Sequence, residues 1–397
     1  MSTLIRNIKA VDSSKERNLE LLIENGLIAQ IAEHIEGDFE TVLDGGGKVL
    51  LPAFTDLHAH FRDPGLTHKE DILSGCRSAV RGGYVNVSLM ANTKPVCSSM
   101  DTVEYVLEKG KQAGLCRLHQ TVSITEGFDG KTLSHLDALD TAKVRWLSDD
   151  GVGVADTGVM LAAMDKANQL GLGLMLHEED PALTHRNLYL AEDLMTTRDV
   201  KLAVHTGCKT HFCHVSTIDS LGDIISGKLM CDNITCEVTP HHLCLNDTTE
   251  YAVAPPLRDE SHRRYLVECL RNGYIDAIAT DHAPHTQEDK EKGVNGMVGL
   301  ECAFAACYTH LVRTGEITLS QLSALMSRNP ARILGFEGGV IEPGVPADLV
   351  LVDVESPFVF NASDCSSKGH NTPFDGQTFY GRILMTMKQG EIVYEAH

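Results

Sequence analysis

The sequence contains no long apolar run. No stretch approaches the roughly 20 consecutive apolar residues of a membrane-spanning helix. The first residues, MSTLIRNIKAV, lack the apolar core of a signal peptide. Repeats of constant period and low-complexity stretches are also missing. We therefore expect a cytoplasmic protein that has no membrane partner.

Positive charge is scarce. Lys and Arg number 34 against 55 Asp and Glu, which gives a net charge of -21 at pH 7. This balance disfavours binding to nucleic acids and to anionic membrane surfaces, because both attract cations. An anionic substrate would need a local positive group, such as a metal ion or an arginine.

The twelve cysteines form no CxxC pair and no compact disulfide-like framework. Several of them lie in apolar runs, among them Cys213, Cys236 and Cys302. This distribution predicts buried free thiols in a reducing compartment rather than disulfides.

The middle of the chain alternates apolar, strand-like runs with longer segments of helical periodicity. A hydrophobic content of 43% supports a sizeable packed core. Eight parallel βα units close naturally into a (β/α)8 barrel, so we predict an α/β fold with a TIM-like barrel. The strand candidates are LPAFTDLHA, YVNVSLM, CRLHQTVSI, KVRWLS, LGLMLHE, KTHFCHVS, NITCEVTP and IDAIATD.

The two ends of the chain predict a smaller, all-β unit. Residues 1–49 read as short strands, and Asn25-Gly26 has the composition of a hairpin turn. Strand-like runs return near the C-terminus. We expect residues 1–49 and 340–397 to form one β-sandwich domain beside a barrel of residues 50–339, the alternative being two unrelated tails.

Unusual polar residues follow the ends of the predicted barrel strands. In DLHAHFRDPG, His58 and His60 stand two apart and face the same side of a strand, and Arg62 continues the alternation. Imidazoles are good ligands for Zn2+, and a guanidinium can hold an anionic group as a fork. The other strand-end residues are Asn92, Asp149, Asp150, His177, His214, His241, His242, Asp281, His282 and His285.

Each of these residues alone also has a structural explanation. A single strand-end His is more often a satisfied polar core residue than a ligand, and an Asp can simply cap a turn. Their coincidence at the rim where barrel active sites lie predicts a metal centre. The ligands fit two cations: His58, His60 and Asp281 for one, His177 and His214 for the other, and Asp150 as the bridging carboxylate.

This ligand set predicts a hydrolase for an amide or imide bond. A metal-bound hydroxide is a potent nucleophile at neutral pH, because the metals depress its pKa. Asp281 can accept the proton from that hydroxide and pass it to a leaving nitrogen.

These motifs resemble those of the amidohydrolase superfamily, and within it the type I dihydroorotases. The resemblance covers nearly the whole chain, and the HxHxRDPG, SDDG and TDHAPH elements together are highly specific. The matching segments, in the family's order, are DLHAHFRDPG, ANT at 91–93, SDDGVG at 148–153, HFCHVST at 211–217, EVTPHHL at 237–243, PPLR at 255–258, ATDHAPH at 279–285 and NTPFDG at 371–376.

The resemblance implies an enzyme with one or two Zn2+ per subunit that reversibly cyclises N-carbamoyl-L-aspartate to L-dihydroorotate in de novo pyrimidine (UMP) biosynthesis. It also implies a homodimer and a potential association with aspartate transcarbamoylase. The implied roles are zinc ligands at His58, His60, His177 and His214, a bridge at Asp150, a ligand and general acid/base at Asp281, and substrate contacts at His60, Arg62, Asn92, His285, Asn295 and Gly296.

The chain departs from the family pattern around the substrate. Ala254 stands where the family usually has an Asn before PPLR, and Asn295-Gly296 stands where a Phe-Gly pair usually contacts the ring. The segment 177–214 and the loop 286–298 are also shorter than usual. The metal ligands are complete, so these changes bear on substrate fit rather than on reaction type.

Two other functions compete with this prediction. Relatives that open hydantoins or allantoin usually bridge their metals with a carboxylated lysine, whereas here Lys143 precedes the fourth strand and Asp150 follows it. Arg62 with Asn92 also calls for a carboxylate on the substrate. A catalytically silent subunit that scaffolds aspartate transcarbamoylase would be marked by lost ligands, and none is lost.

Overall fold

The structure is a computed structural model that describes residues 2–336 and 338–396. In chain order, the strands are β1 (Ser2–Val11), β2 (Glu16–Glu24), β3 (Leu27–Ala32), β4 (Thr41–Asp44), β5 (Val49–Pro52), β6 (Phe54–Ala59), β7 (Tyr84–Leu89), β8 (Arg117–Gln120), β9 (Trp146–Leu147), β10 (Gly173–Leu176), β11 (Thr210–Phe212), β12 (Ile234–Val238), β13 (Ala277–Ile278), β14 (Leu349–Asp353), β15 (Phe358–Val359), β16 (Thr378–Phe379), β17 (Arg382–Lys388) and β18 (Glu391–Glu395).

The helices are α1 (Ile72–Arg81), α2 (Met100–Ala113), α3 (Thr157–Leu170), α4 (Leu188–Thr206), α5 (Ile218–Lys228), α6 (Pro240–Cys244), α7 (Glu260–Arg271), α8 (Gln287–Glu291), α9 (Ala303–Cys307), α10 (Leu319–Ser323) and α11 (Asn329–Leu334). The π-helical turns Tyr308–Val312 and Ala324–Arg328 continue α9 and α10, and 3-10 turns lie at Glu126–Phe128, Ser134–Ala138, Asp247–Thr249 and Ala362–Asp364. None of these helices is long and apolar enough to cross a membrane.

The strands β6 to β13 form the predicted barrel. The strands β6, β7 and β8 pair in parallel, as do β9 to β13 in chain order. Parallel bridges between Val122 and Leu147 and between Ala59 and His282 join the two groups and close the ring. Because both faces of such strands are covered, β6, β7 and β10 are buried along their whole length.

The barrel helices begin and end at residues with clear local preferences. The side chains of Asp156 and Asn187 accept hydrogen bonds from first-turn N–H groups of α3 and α4. Gly171 ends α3 in the left-handed conformation, which a residue with a Cβ adopts only with strain. The connection between β8 and β9 differs from the others, since it contains 3-10 turns instead of an α-helix.

The predicted strand LPAFTDLHA is wrong as a single element. The chain pairs first in β5 and then in β6, and these strands belong to different sheets. The N–H of Ala53 donates to Asp348 O at 2.9 Å, whereas the N–H of Phe54 donates to Gly83 O at 2.8 Å. Ala53 thus still pairs with the first sheet, and the change of partner falls between Ala53 and Phe54.

Both ends of the chain pair in one mixed sheet, whose order is β18-β17-β14-β5-β1-β2-β3 with β4 beside β1. Its own hydrophobic cluster includes Leu21, Leu50 and Leu349. The Asn25-Gly26 turn between β2 and β3 has positive φ at both residues, as the sequence predicted. The division of the chain at residues 49/50 and 339/340 stays a prediction.

The twelve cysteines, which all lie in the described part of the chain, are free and mostly buried, as their apolar surroundings predicted. The polar stretch 362–376 is folded against the carboxyl-end rim of the barrel. There Ser367 donates to the buried carboxylate of Glu70, and Asn371 contacts the segment that follows β13. This C-terminal stretch therefore forms part of the surroundings of the site.

Candidate active site

The strand ends bring the predicted site residues into one pocket at the carboxyl-end rim of the barrel. The pocket has a volume of about 320 Å³ and is the place where barrel active sites lie. His58 lies beneath it and is fully buried. The pocket is lined by His60, Arg62, Asn92, Asp150, Gly151, His177, Glu179, His214, Ala254, Asp281, Ala283, His285, Asn295 and Gly296.

Two groups of side chains in this pocket have the spacing of metal ligands, and they share one carboxylate. The first group is His58, His60 and Asp150, and the second is Asp150, His177 and His214. Within each group the ligand atoms all lie within 4.8 Å of one another. A carboxylate with two oxygens can serve two cations at once, so the position of Asp150 between the groups fits a bridging role.

The first group includes a second carboxylate at close range. Oδ1 of Asp281 lies 3.0 Å from His60 Nε2 and 3.5 Å from His58 Nε2. His58 Nε2 is also 3.3 Å from Asp150 Oδ1. Asp281 is therefore placed as a further ligand of a cation between the two histidines.

The second group is built on two facing imidazoles. His177 Nδ1 lies 3.0 Å from His214 Nε2. These two nitrogens are 3.6 Å and 3.7 Å, respectively, from Asp150 Oδ1. The three atoms thus converge on one point, as the donor set of a small cation does.

The chemistry of the buried atoms fits divalent cations at both groups. His58 Nε2 and Asp150 Oδ1 are buried and have no hydrogen-bond partner among the described residues. A buried polar atom without a partner costs free energy, and a cation bound here would satisfy both atoms. Neutral imidazole and carboxylate are also the donors that zinc and related metals bind.

Electrostatics keep the two aspartates ionised. Burial raises the pKa of Asp150, but the neighbouring imidazoles of His58, His214 and His60 together outweigh burial and hold that pKa well below its usual range. For Asp281, burial likewise raises the pKa, and the hydrogen bond from His60 with the nearby histidines lowers it further than burial raises it. Both side chains are therefore anions at neutral pH, which suits them to bind cations.

Three of the eight non-glycine residues with positive φ in the described part of the chain lie at this site. Arg62, His214 and Asp281 have φ values of 58°, 37° and 46°. Residues other than glycine adopt this left-handed region at a cost of about 1–3 kcal/mol, and such strain is typical of functional sites. At each of the three positions the turn follows a barrel strand and aims the side chain into the pocket.

A cationic corner lies beside the metal ligands. Arg62 Nη2 is 3.3 Å from His285 Nε2, and Lys69 Nζ is 3.4 Å from His285 Nδ1. Burial, together with the charges of Arg62 and Lys69, lowers the pKa of His285 to about 3, so this imidazole is neutral at neutral pH. Lys69 is paired with Asp289 at 3.0 Å, so Arg62 is the cation of this corner that can receive an anionic group such as a carboxylate.

Asn92 occupies a position between the predicted substrate and metal residues. Its Nδ2 donates to Asp150 Oδ2 at 3.1 Å, and its Oδ1 is 2.9 Å from His60 Nδ1. With a cation bound, a proton on His60 Nδ1 would donate to that oxygen, and Nε2 would face the cation instead of hydrogen-bonding Asp281. Asn92 therefore orients two proposed ligands in addition to lining the pocket.

The sequence reasoning missed two carboxylates behind the histidines. Oε1 of the fully buried Glu237 lies 3.3 Å from His58 Nδ1, and its Oε2 lies 3.1 Å from His211 Nε2. Oε2 of Glu179 lies 3.3 Å from His177 Nε2. Carboxylates in this position fix the tautomer and the orientation of metal-binding histidines. The sequence did contain two indications of these carboxylates. Glu237 is a charged residue inside the apolar strand ITCEV, and Glu179 lies two positions after His177.

Asp149, His242 and His282 have structural roles, which was the alternative explanation, whereas His241 does not fit it. Asp149 accepts the N–H groups of Ile124 and Thr125 at 2.7 and 3.1 Å. His242 Nε2 contacts Pro255 O at 3.0 Å. His282 is hydrogen-bonded to the backbone at Gly299, and His241 is buried with both ring nitrogens unpartnered in the described part of the chain.

A closed (β/α)8 barrel with two groups of His and Asp ligands at its carboxyl-end rim is the arrangement of a metal-dependent hydrolase. The amidohydrolase family matches residues 49–393 of this chain. The chain belongs to the amidohydrolase family, and its full-length relatives include dihydroorotases.

Two curated dihydroorotases show the extent of the likeness. That of Clostridium botulinum (strain Eklund 17B / Type B) is 48% identical over 397 residues, which is 100% of both chains. That of Brevibacillus brevis (strain 47) is 39% identical over 95% of both chains. The family predicted from the motifs is thereby confirmed.

Solved structures confirm the fold. The L-hydantoinase (dihydropyrimidinase) from Arthrobacter aurescens superimposes with a TM-score of 0.90 at 25% identity, and the match covers 99% of this chain and 96% of the other. A dihydropyrimidinase from Brevibacillus agri NCHU1002 gives a TM-score of 0.87 at 22% identity, over 100% and 95% of the two chains.

Proposed function

We propose that this chain is a dihydroorotase that interconverts N-carbamoyl-L-aspartate and L-dihydroorotate in de novo pyrimidine synthesis. The observation that carries the proposal is the cationic corner of Arg62 and His285 beside the two ligand groups that share Asp150. The ligand groups suit hydrolysis of a cyclic amide. The corner suits a substrate that also has a carboxylate.

The proposed cofactor is zinc, with one or two ions per subunit. Bound zinc supplies Lewis-acid chemistry, because it polarises a carbonyl and lowers the pKa of water. The residues that would hold it are His58, His60 and Asp281 at one position, His177 and His214 at the other, and Asp150 between them.

Within this chain, Asp281 is the proposed general acid/base. During ring opening, water adds to the carbonyl carbon, and the bond from that carbon to the ring nitrogen breaks. Asp281 takes a proton from the attacking water and delivers it to the leaving nitrogen. Arg62, Asn92 and His285 hold the substrate carboxylate, while Asn295 and Gly296 line the wall next to His285, beside the ring.

The main alternative is a hydantoinase-like activity, because the similar solved structures are named hydantoinase or dihydropyrimidinase. The lysine on which that alternative depends is not at the centre. Lys143 is half-exposed, and its Nζ lies 2.6 Å from Glu104 Oε1. A carboxylate, Asp150, takes the shared position instead.

One assay separates these functions. Protein loaded with zinc should open dihydroorotate, followed by absorbance, and should turn over hydantoin and allantoin far more slowly. Efficient opening of hydantoin with no turnover of dihydroorotate would assign the chain to the alternative.

The location and assembly of the enzyme are proposals that rest on the family resemblance. We infer that the enzyme is cytoplasmic and forms a homodimer. We also infer that this dimer can bind aspartate transcarbamoylase. Light scattering of the purified chain, alone and mixed with aspartate transcarbamoylase, tests both statements. A monomer that stays separate would contradict them.

Arg62→Met should reduce kcat/KM for dihydroorotate at least about tenfold. A charge-assisted pair with a carboxylate contributes about 1.5–3 kcal/mol, and about 1.4 kcal/mol corresponds to tenfold. A neutral cyclic imide has no carboxylate to lose, so its kcat/KM should change much less. Steady-state kinetics on both substrates test this. The exposed Arg264 provides the control variant Arg264→Met, and an equal loss on both substrates in Arg62→Met would contradict carboxylate recognition.

Glu237→Gln should weaken zinc binding by about 10–100-fold, because this carboxylate orients His58 from behind. The variant keeps the size of the side chain and removes its charge. Competition with a chromogenic chelator measures the affinity. Glu268→Gln, at an exposed position on α7, is the matched control, and unchanged zinc affinity in Glu237→Gln would show that His58 needs no such partner.

A further inference from the structure

One wall of the pocket consists of backbone from three separate segments. Ala254 comes from the connection before α7, Ala283 and His285 follow β13, and Asn295 with Gly296 follows α8. The N–H of Gly296 donates to Ala252 O at 3.0 Å, and the N–H of Ala283 donates to Met297 O at 2.7 Å. These few backbone contacts join the segments directly.

Lys290 on α8 connects two of these segments, the one that contains Ala254 and the one that contains Gly296, by hydrogen bonds. Its Nζ donates to Ala252 O at 2.9 Å, to Val294 O at 2.7 Å and to Gly296 O at 2.9 Å. An ammonium group has three protons, so all three are used on backbone carbonyls. The same ammonium lies 4.4 Å from the centre of the Tyr251 ring, which adds a cation–π contact.

Asn371, from the C-terminal polar stretch, forms hydrogen bonds with the backbone of the same wall. Its Nδ2 donates to Ala283 O at 3.2 Å and to Gly296 O at 3.0 Å. Its Oδ1 accepts the N–H of His285 at 3.0 Å. Lys290 and Asn371 therefore meet at the carbonyl of Gly296.

The wall has little room to move toward His285. Gly296 has a φ of +127°, and a Cβ at this position would lie 2.9 Å from the Ala283 Cβ and 3.0 Å from the His285 ring. A small displacement of the Gly296 segment would thus press on His285 or open a gap beside it. The position of this segment is coupled to the proposed substrate site.

We propose that Lys290 and Asn371 are positioning residues that set substrate affinity by holding the Gly296 segment at a fixed position beside His285. The inference rests on the proposed function. The methyl group of Ala254 cannot hydrogen-bond a substrate ring, so polar contacts from this wall depend on its backbone and on Asn295. Where that backbone is held then determines how well the ring fits.

The test compares Lys290→Met and Asn371→Ala with wild type in the zinc-loaded full chain. In each variant KM for dihydroorotate should rise at least about tenfold, since a misplacement of about 1 Å can cost about 100-fold in a positioned site. We expect kcat and zinc content to stay near wild type, while the lost hydrogen bonds lower the unfolding temperature modestly. Lys292→Met is the matched control, because Lys292 follows α8 directly, is 65% exposed at its side chain and pairs with Glu288.

Three further measurements distinguish a positioning role from a general structural one. The double variant should raise KM by less than the product of the single effects, because both residues act on the Gly296 segment. Amide hydrogen exchange at residues 294–298 should be faster in each single variant and unchanged in Lys292→Met. Lys290→Arg, which keeps donor groups, should recover part of the affinity.

A wild-type KM in either Lys290→Met or Asn371→Ala overturns the positioning role of that residue. A parallel loss of kcat and zinc would show a general structural role and also overturns it. Should one variant fail to fold, the other decides the proposal. The proposed function has its own test, which it fails if the wild-type protein opens hydantoin but not dihydroorotate. In that case, KM for hydantoin, measured in wild type and in the same variants, still tests the positioning role.

Discussion

Asp281→Asn is expected to lower kcat by roughly 10²–10⁴-fold while the fold stays intact. Asparagine still offers an oxygen to a cation near His58 and His60, yet it cannot accept and return a proton. The backbone tolerates the change, because Asp281 has a φ of 46° and Asn is one of the few residues that enter this region readily. The loss should therefore fall on turnover rather than on stability.

The measurements for Asp281→Asn are kcat, zinc per chain and the unfolding temperature. Asp219→Asn, at an exposed position in the first turn of α5, is the control. Retention of more than about a tenth of the wild-type kcat would contradict the role of Asp281, since positioned proton transfer contributes at least about 10²-fold.

Asp150→Ala is expected to remove metal as well as activity. Both ligand groups contain this carboxylate, and two neighbouring cations need an anion between them because they repel. Zinc affinity should fall at least about 100-fold, since even a group behind a ligand is worth 10–100-fold. Elemental analysis of dialysed protein measures the zinc that remains.

Asp149→Ala is the matched control for Asp150→Ala. Asp149 is also buried, but it accepts backbone N–H groups of Ile124 and Thr125 and does not line the pocket. Its removal should destabilise the fold by about 1–3 kcal/mol, because those donors lose their partner, and leave zinc per chain unchanged. Unchanged zinc in Asp150→Ala would exclude it as a ligand and make Asp149 the next residue to test.

Much of the site was predictable because a barrel gives strand ends a common location. His58, His60, His177, His214 and Asp281 each follow or end an apolar run, and the fold brings the carboxyl ends of all eight strands to one rim. Residues at i and i+2 of a strand share a face. The common location of these proposed ligands could therefore be predicted without knowing any contact.

Other parts of the site depend on contacts between distant segments. The sequence predicted Asp150 as the shared carboxylate, but only the packing shows what the adjacent Asp149 does, since it faces away from the pocket and accepts backbone N–H groups. Glu237 reads as one charged residue in an apolar strand until His58 and His211 are seen on either side of it. Lys290 reads as a surface lysine until its three carbonyl partners are known.

The sequence by itself determined the fold class, the family and the residues that gather at the carboxyl-end rim, because periodicity and strand ends are local properties of the chain. The tertiary structure alone decided that Glu237 lies behind His58, where the chain leaves one sheet for another after Ala53, and which side chains hold the pocket wall in place. These features depend on distances between residues far apart in sequence, such as the 75 positions that separate Asn371 from Gly296. No local pattern encodes such distances, since they are fixed only when the barrel closes and the C-terminal stretch packs across its rim.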